Sequence, residues 1–251
     1  MKGVEIEKYK TPSGTEIENY NKVKDLGVVT SRDLKFREHI DSVVLACKIK
    51  KGIILRNFAT RKREVMLKLY KSYIRSKAEY CCIVWSPTHR KEISKIERIQ
   101  KSFTKHIEGM EDKNYHQRLK SLKMYSLERR RERYMIINTW QQIEGQRENM
   151  MGFVMNERSR QRTIKATRVK WNKTSKNSSI IHNSPALKMM RLFNAIPGEL
   201  RDITGVKVDM FKRKLDKWLS SVPDTPIIDD YKAAAKSNSI VDQAAHRITW
   251  L

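Results

Sequence analysis

Between Thr88 and Gly145 the apolar residues keep helical time. Ile93, Ile96, Ile99, Phe103 and Ile107 recur at steps of three and four, which suits one face of a helix and fails as strand alternation. Gly109 follows as the stop. Lys91, Lys95, Arg98, Lys101 and Lys105 fill the gaps, so the opposite face reads as basic. A second run places Leu127, Tyr134, Ile137, Trp140 and Ile143 along one side, with Gly145 as its stop. Its other side opens with Arg129, Arg130, Arg131 and Arg133.

Upstream, Asp33 is the expected cap of a helix beginning near Leu34, with Phe36, Ile40, Val43, Val44, Cys47, Ile54, Leu55 and Phe58 inward and a break at 57–60. Thr60 is the expected cap of the next helix, with Val65, Met66, Leu69, Tyr70, Tyr73 and Ile74 inward. Pro87 interrupts, and Thr88 caps the helix of the lysines. Asn114 with Gln117 spells a capping box, and Ser126 caps the arginine-rich helix. Before all of these, Thr15–Tyr20 and Val23–Val29 alternate weakly around Asn21 and Lys22. They predict a hairpin in which Gly27 eases a bulge or a close backbone approach.

Past Gly145 the pattern loosens. Residues 146–184 read as a basic connector, partly extended, in which Arg162, Lys165, Arg168, Lys170 and Trp171 form a candidate arm for tracking a nucleic-acid strand. A surface ribbon with Trp171 packed down is the competing reading. Helical spacing resumes over 185–222, through Leu187, Met190, Leu192 and Phe193, then Phe211, Leu215, Trp218 and Leu219. Residues 223–251 form a polar tail. The expected fold is mainly α: residues 1–33 a hairpin edge, 34–145 a helical bundle, 185–222 a small helical extension.

Charge gives the basic face its weight. The 251 residues carry 53 Lys and Arg against 28 Asp and Glu, a formal charge of +25. Such an excess repels itself unless a polyanion neutralises it, nucleic acid first and an anionic membrane surface second. A solvated face is the plainer reading of any single charged helix. The N-terminus lacks the apolar core of a signal peptide and no run is long enough to span a membrane, so an intracellular place, nucleus or cytoplasm, is expected.

The chemistry-bearing residues do not assemble into a reaction centre. Cys81, Cys82 and His89 have no fourth partner at finger-like spacing and read as core thiols with a surface histidine, so no metal is expected. The phosphate-loop, nucleophile-elbow and zinc-protease motifs are missing. The acidic pairs Glu111-Asp112 and Asp229-Asp230 follow no hydrophobic strand that would hold a two-metal site. No catalytic residue is assigned.

Four segments nonetheless have a familiar form. Lys24–Ile40 (KDLGVVTSRDLKFREHI), Leu69–Pro87 (LYKSYIRSKAEYCCIVWSP), Lys95–Gly109 (KIERIQKSFTKHIEG) and the run from Tyr115 to Arg133 resemble the C-terminal part of reverse transcriptases of non-long-terminal-repeat retrotransposons, of the jockey-like and chicken-repeat-like clades. The resemblance implies that Leu26-Gly27 is the primer-grip turn and that Leu34–Glu144 is the thumb, and the one-sided charge of the periodic helices makes Lys91, Lys95, Arg98, Lys101, Lys105 and Arg129, Arg130, Arg131 and Arg133 the expected contacts to a template–primer backbone. RNA, DNA or their hybrid would be the partner, with no membrane. Fingers, most of the palm and its aspartates are absent, so this chain would be catalytically incomplete. Mg2+ would belong to the missing palm, and a separately encoded palm is a further implied partner. Ser76-Lys77-Ala78 departs from the family's proline-containing segment. The alternatives are a structural or protein-interaction remnant and one half of a split polymerase.

Overall fold

The computed structural model describes residues 10–18, 20–157, 162–165, 184–228 and 237–248, with side chains through residue 244. A two-stranded antiparallel hairpin, β1 (Lys22–Asp25) and β2 (Val28–Ser31), precedes a body of helices. These are α1 (Arg37–Asn57), α2 (Arg63–Leu69), a π-helical turn (Tyr70–Arg75), α3 (Ser76–Glu79), α4 (Cys82–Trp85), α5 (Arg90–Thr104), α6 (Tyr115–Leu122) and α7 (Leu127–Ile143). After them come α8 (Pro185–Ala195), α9 (Gly198–Arg201), α10 (Val208–Leu219) and α11 (Ile240–Ile248). The mainly helical bundle with its leading hairpin is the architecture the pattern predicts. Among the described residues no helix is long and apolar enough to cross a membrane.

The hairpin exists in another register. Lys22 pairs with Ser31 and Asp25 with Val28, so Leu26 and Gly27 are the two turn residues, not strand and bulge. Both have positive φ, 44° and 81°, the backbone of a tight two-residue hairpin loop. Asp33 does not cap α1. Its carboxylate accepts from Ser31 Oγ at 2.7 Å and Lys35 N at 3.2 Å, which holds a loop, and α1 starts three residues later than expected, at Arg37. Thr60 and Thr88 likewise yield the N-cap positions to Lys62 and His89, neither of which caps with its side chain. The Asn114–Gln117 capping box and the Ser126 cap form as expected.

Among the described residues two large apolar cores lie side by side, with a small third cluster of Tyr115, Leu119 and Ile228. The first gathers Ile40, Val43 and Cys47 of α1 with Met66, Tyr70, Ile74, Trp85, Ile96 and Phe103. The second gathers Met135, Ile136 and Trp140 of α7 with Met189, Leu192 and Phe193 of α8, Phe211 and Leu215 of α10, and Ile240. Trp140 stacks on Phe211 with ring centroids 4.4 Å apart. Each such fully buried side chain contributes about 1.5–3 kcal/mol. α7 is the wall between them: Leu127 belongs to the first core and Trp140 to the second. A helix so placed is buried almost all round, which decides the fate of its arginines. The π-helical turn inserts extra chain between Leu69 and Ser76, so Tyr73, expected inward, is 55% exposed, while Tyr70 and Ile74 are fully buried.

Candidate nucleic-acid interface

The basic residues of α5 divide by position. Lys91, Arg98 and Lys105 are exposed; Lys95 and Lys101 are half-buried. The Lys95 ammonium is 2.6 Å from Asp41 Oδ1 on α1, a partner that lies 54 residues away in sequence. Arg98, Lys101 and Lys105 line one open groove of about 860 Å³ with Lys113, His116 and Arg118. Glu111 and Asp112 lie on its acidic edge. Arg118 is buried and braces the groove: its guanidinium donates to Lys113 O at 2.6 Å, Lys101 O at 3.1 Å and Thr104 Oγ1 at 3.2 Å.

The arginines of α7 do not form an outward cluster. Arg129 is 0% and Arg131 2% exposed. Arg129 Nη2 donates to Pro223 O at 2.7 Å and Asn238 O at 3.3 Å. Arg130 is forked on Glu79, with Nη2 at 3.0 Å from Oε2, and its Nη2 also donates to Tyr134 Oη at 2.7 Å. Arg133 is forked on Asp216, with Nη2 at 2.7 Å from Oδ2. The expected four-arginine grip is therefore corrected. α7 sits between two cores: Glu79 and Asp216 pair with Arg130 and Arg133, backbone carbonyls take Arg129, and the Arg131 Nη atoms are buried with no described acceptor.

Around Arg131 lies a buried polar cluster that was not among the sequence expectations. Glu97 is 0% exposed and accepts from Tyr115 Oη, from Leu127 N at 3.2 Å and from Glu128 N at 3.3 Å. Tyr70 Oη donates to Gln100 Oε1 at 2.6 Å, and Gln100 Nε2 donates to Tyr115 Oη at 3.0 Å. Burial pushes the Glu97 carboxyl up to about 7, against the opposing Tyr115 bond and Arg131 charge. Burial, with Glu132 beside it, lifts Glu128 to about 7 as well. One sequence signal was available: Glu97, Gln100 and Thr104 fall three and four apart, a polar stripe next to the apolar one.

The remaining candidates scatter. Leu26 is 81% exposed at the hairpin tip, where Tyr80 Oη donates to its carbonyl at 2.9 Å and the Tyr80 ring would stand 3.6 Å from a Cβ at Gly27. Tyr80 is the residue the sequence reading missed at this turn. Arg162 is held inward by Glu144 and by the carbonyls of Arg201, at 3.1 Å, and Ile203, at 3.3 Å, so it offers no outward charge to a strand. Lys165 is exposed. Arg168, Lys170 and Trp171 lie outside the described residues. Cys82 is buried, but Cys81 is exposed, not a core thiol, because its backbone at φ 50° turns the chain between α3 and α4. Among the described residues no three His, Cys, Asp or Glu side chains come together as metal ligands.

Comparison with known proteins adds little chemistry. No family model and no solved structure matches the chain. A stretch of 88 residues is 28% identical to an uncharacterized protein of Caenorhabditis elegans, covering 35% of this chain and 44% of that protein. The similarity thus spans under half of the relative's length, and the relative's description assigns it no activity.

Proposed function

We propose that this chain is a backbone-gripping nucleic-acid module of the thumb kind, part of an RNA-directed DNA polymerase whose catalytic centre it does not itself contain. The observation that supports this best is the groove between α5 and α6, where Arg98, Lys101, Lys105 and Lys113 share one wall system on a chain of charge +25. Lysines and arginines spaced along a groove neutralise phosphates without reading bases, so the binding is sequence-blind and salt-sensitive. The grip is smaller than the sequence suggested, since α7 contributes no free face.

Four neutralised phosphates give a logarithmic salt slope of about −3.6, hence a loss of affinity of roughly a hundredfold between 50 and 200 mM salt. Fluorescence anisotropy with an RNA–DNA hybrid measures this. The double change Lys101→Glu with Lys105→Glu should weaken binding and flatten the slope by about two. An affinity indifferent to salt would refute phosphate neutralisation.

A second reading rests on a different surface. Leu45, Ile49 and Ile53 form an exposed apolar stripe on α1, at four-residue steps and 59%, 55% and 45% exposed. It supports an interaction role, with a separately encoded palm as the covering partner. Co-purification with such a palm, abolished by Ile49→Asp, would favour it over the groove.

A further inference from the structure

A second cavity, in which apolar walls meet charge, lies apart from the groove. A cavity of about 450 Å³ opens where three helices begin: Phe36 and Arg37 at the head of α1, Thr88 and His89 at the head of α5, Ser184 and Pro185 at the head of α8. These helices are 21, 15 and 11 residues long, and each directs the positive end of its dipole toward the cavity. The N-cap residues of α1 and α5, Phe36 and His89, supply no side-chain cap, so first-turn N–H groups are left for something else. The wall at the head of α1 is a strained loop, with Leu34 at φ 51° and Phe36 at φ 53°, both non-glycine.

The charged groups are graded by depth. Arg37, with 59% of its side chain exposed, stands at the mouth beside Lys35. Glu92 lies deep, its side chain 9% exposed. Glu92 Oε1 is 3.9 Å from Arg37 Nε, and Oε2 is buried and accepts no hydrogen bond from any described residue. Lys188 on α8 completes the floor, its ammonium donating to Ser86 Oγ at 3.1 Å and Pro87 O at 3.2 Å. Trp85, Ile83, Val84 and Met135 give the walls their apolar character.

A buried acceptor without a donor costs free energy unless a ligand supplies one. The helix heads and Arg37 ask for an anion, Glu92 Oε2 for an N–H, and the walls between them for a flat apolar body. We propose that this cavity binds a nucleoside monophosphate, its phosphate at the helix heads and Arg37, its base turning an exocyclic amino group to Glu92 Oε2. The volume falls within the usual range for ligand pockets, about 300–1,000 Å³. The cavity shares no lining residue with the α5–α6 groove, so the inference stands or falls apart from the proposed grip.

Calorimetric titration of the full chain with two pairs of nucleotides tests it, AMP against IMP and CMP against UMP. Within each pair an amino group is exchanged for a carbonyl oxygen, which would face the carboxylate acceptor to acceptor. AMP and CMP should each bind at least about tenfold tighter than their partners, and AMP at least about tenfold tighter than inorganic phosphate or adenosine. Glu92→Leu should abolish the AMP–IMP difference, and Arg37→Ala should weaken AMP while leaving adenosine unchanged. The ligand pairs need no variant, so the test survives a misfolded mutant. Equal affinity for AMP and IMP, phosphate binding as tightly as AMP, or no heat with any nucleotide at about 5 mM would each overturn the proposal.

Discussion

Arg131 is buried near the charges of Glu97, from α5, and Glu128, on α7 itself, but neither of its Nη atoms donates to a described group, whereas its neighbour Arg130 is forked on Glu79. A guanidinium keeps its charge wherever the fold puts it, so losing such a residue strands its partners. Arg130→Ala should therefore cost about 3–5 kcal/mol in denaturant unfolding, whereas exposed Lys91→Ala should stay within about 0.5 kcal/mol. Glu97 carries a pH signature. Its carboxyl is raised in the fold to about 7 from an ordinary value of 4.5. The folded state thus holds a proton that the unfolded state has lost, and the associated stability is full below the ordinary value and falls away as pH rises to about 7. The melting temperature should drop between pH 5 and pH 7.5, and Glu97→Gln should flatten that drop; Glu128, raised likewise, keeps part of the slope. None of this was legible in the run LERRRER. Its partners Glu79, Glu97 and Asp216 are set by tertiary packing, which a one-sided reading of a single helix does not contain. The Asn114–Gln117 box was legible because both halves of it are three residues apart.

Elements whose signals are local came out as read, and those whose limits depend on neighbours shifted. The hairpin was visible from alternation, but its register hinges on Leu26-Gly27 taking positive φ, which alternation read as a bulge or close approach and only the resemblance read as a turn. Gly27→Val should destabilise the protein by about 1 kcal/mol or more through backbone strain alone, and a thermal melt can check it. α1 began late because Asp33 spent its carboxylate on Ser31 and Lys35. The helix after Thr60 was legible through Ile74, yet its π-helical turn and its continuation to Glu79 were not, since one added residue leaves no mark in composition. That turn sets the direction of everything after it. Deleting Ser72 should restore regular winding, rotate α3 by about 100°, and carry Glu79 away from Arg130. Loss of the Arg130–Glu79 contribution would show as unfolding at lower denaturant, without loss of helical signal.

The whole molecule is closed by its last described segment. Asp224 accepts from Ser126 N and Oγ, both at 2.7 Å, Asn238 Nδ2 donates to Asp224 Oδ1 at 2.9 Å, and Glu132 accepts from Ser239 Oγ at 2.6 Å and Ile240 N at 2.8 Å. The polar tail read from composition thus supplies the bonds that fix the head of α7. A chain cut after Val222 should lose a large share of its stability and leave Arg129 without two acceptors, visible as a lowered and broadened melt. The position of α7 also imposes an order of events on synthesis. Its bonding partners in Ser239 and Ile240 are more than a hundred residues downstream. Until Ser239 and Ile240 have left the ribosome, the Glu132 carboxylate of the arginine-rich helix lacks the two donors they supply, so this part of the fold closes late. Nascent chains stalled at about residue 225 should be cut readily by protease, and the released protein should resist it.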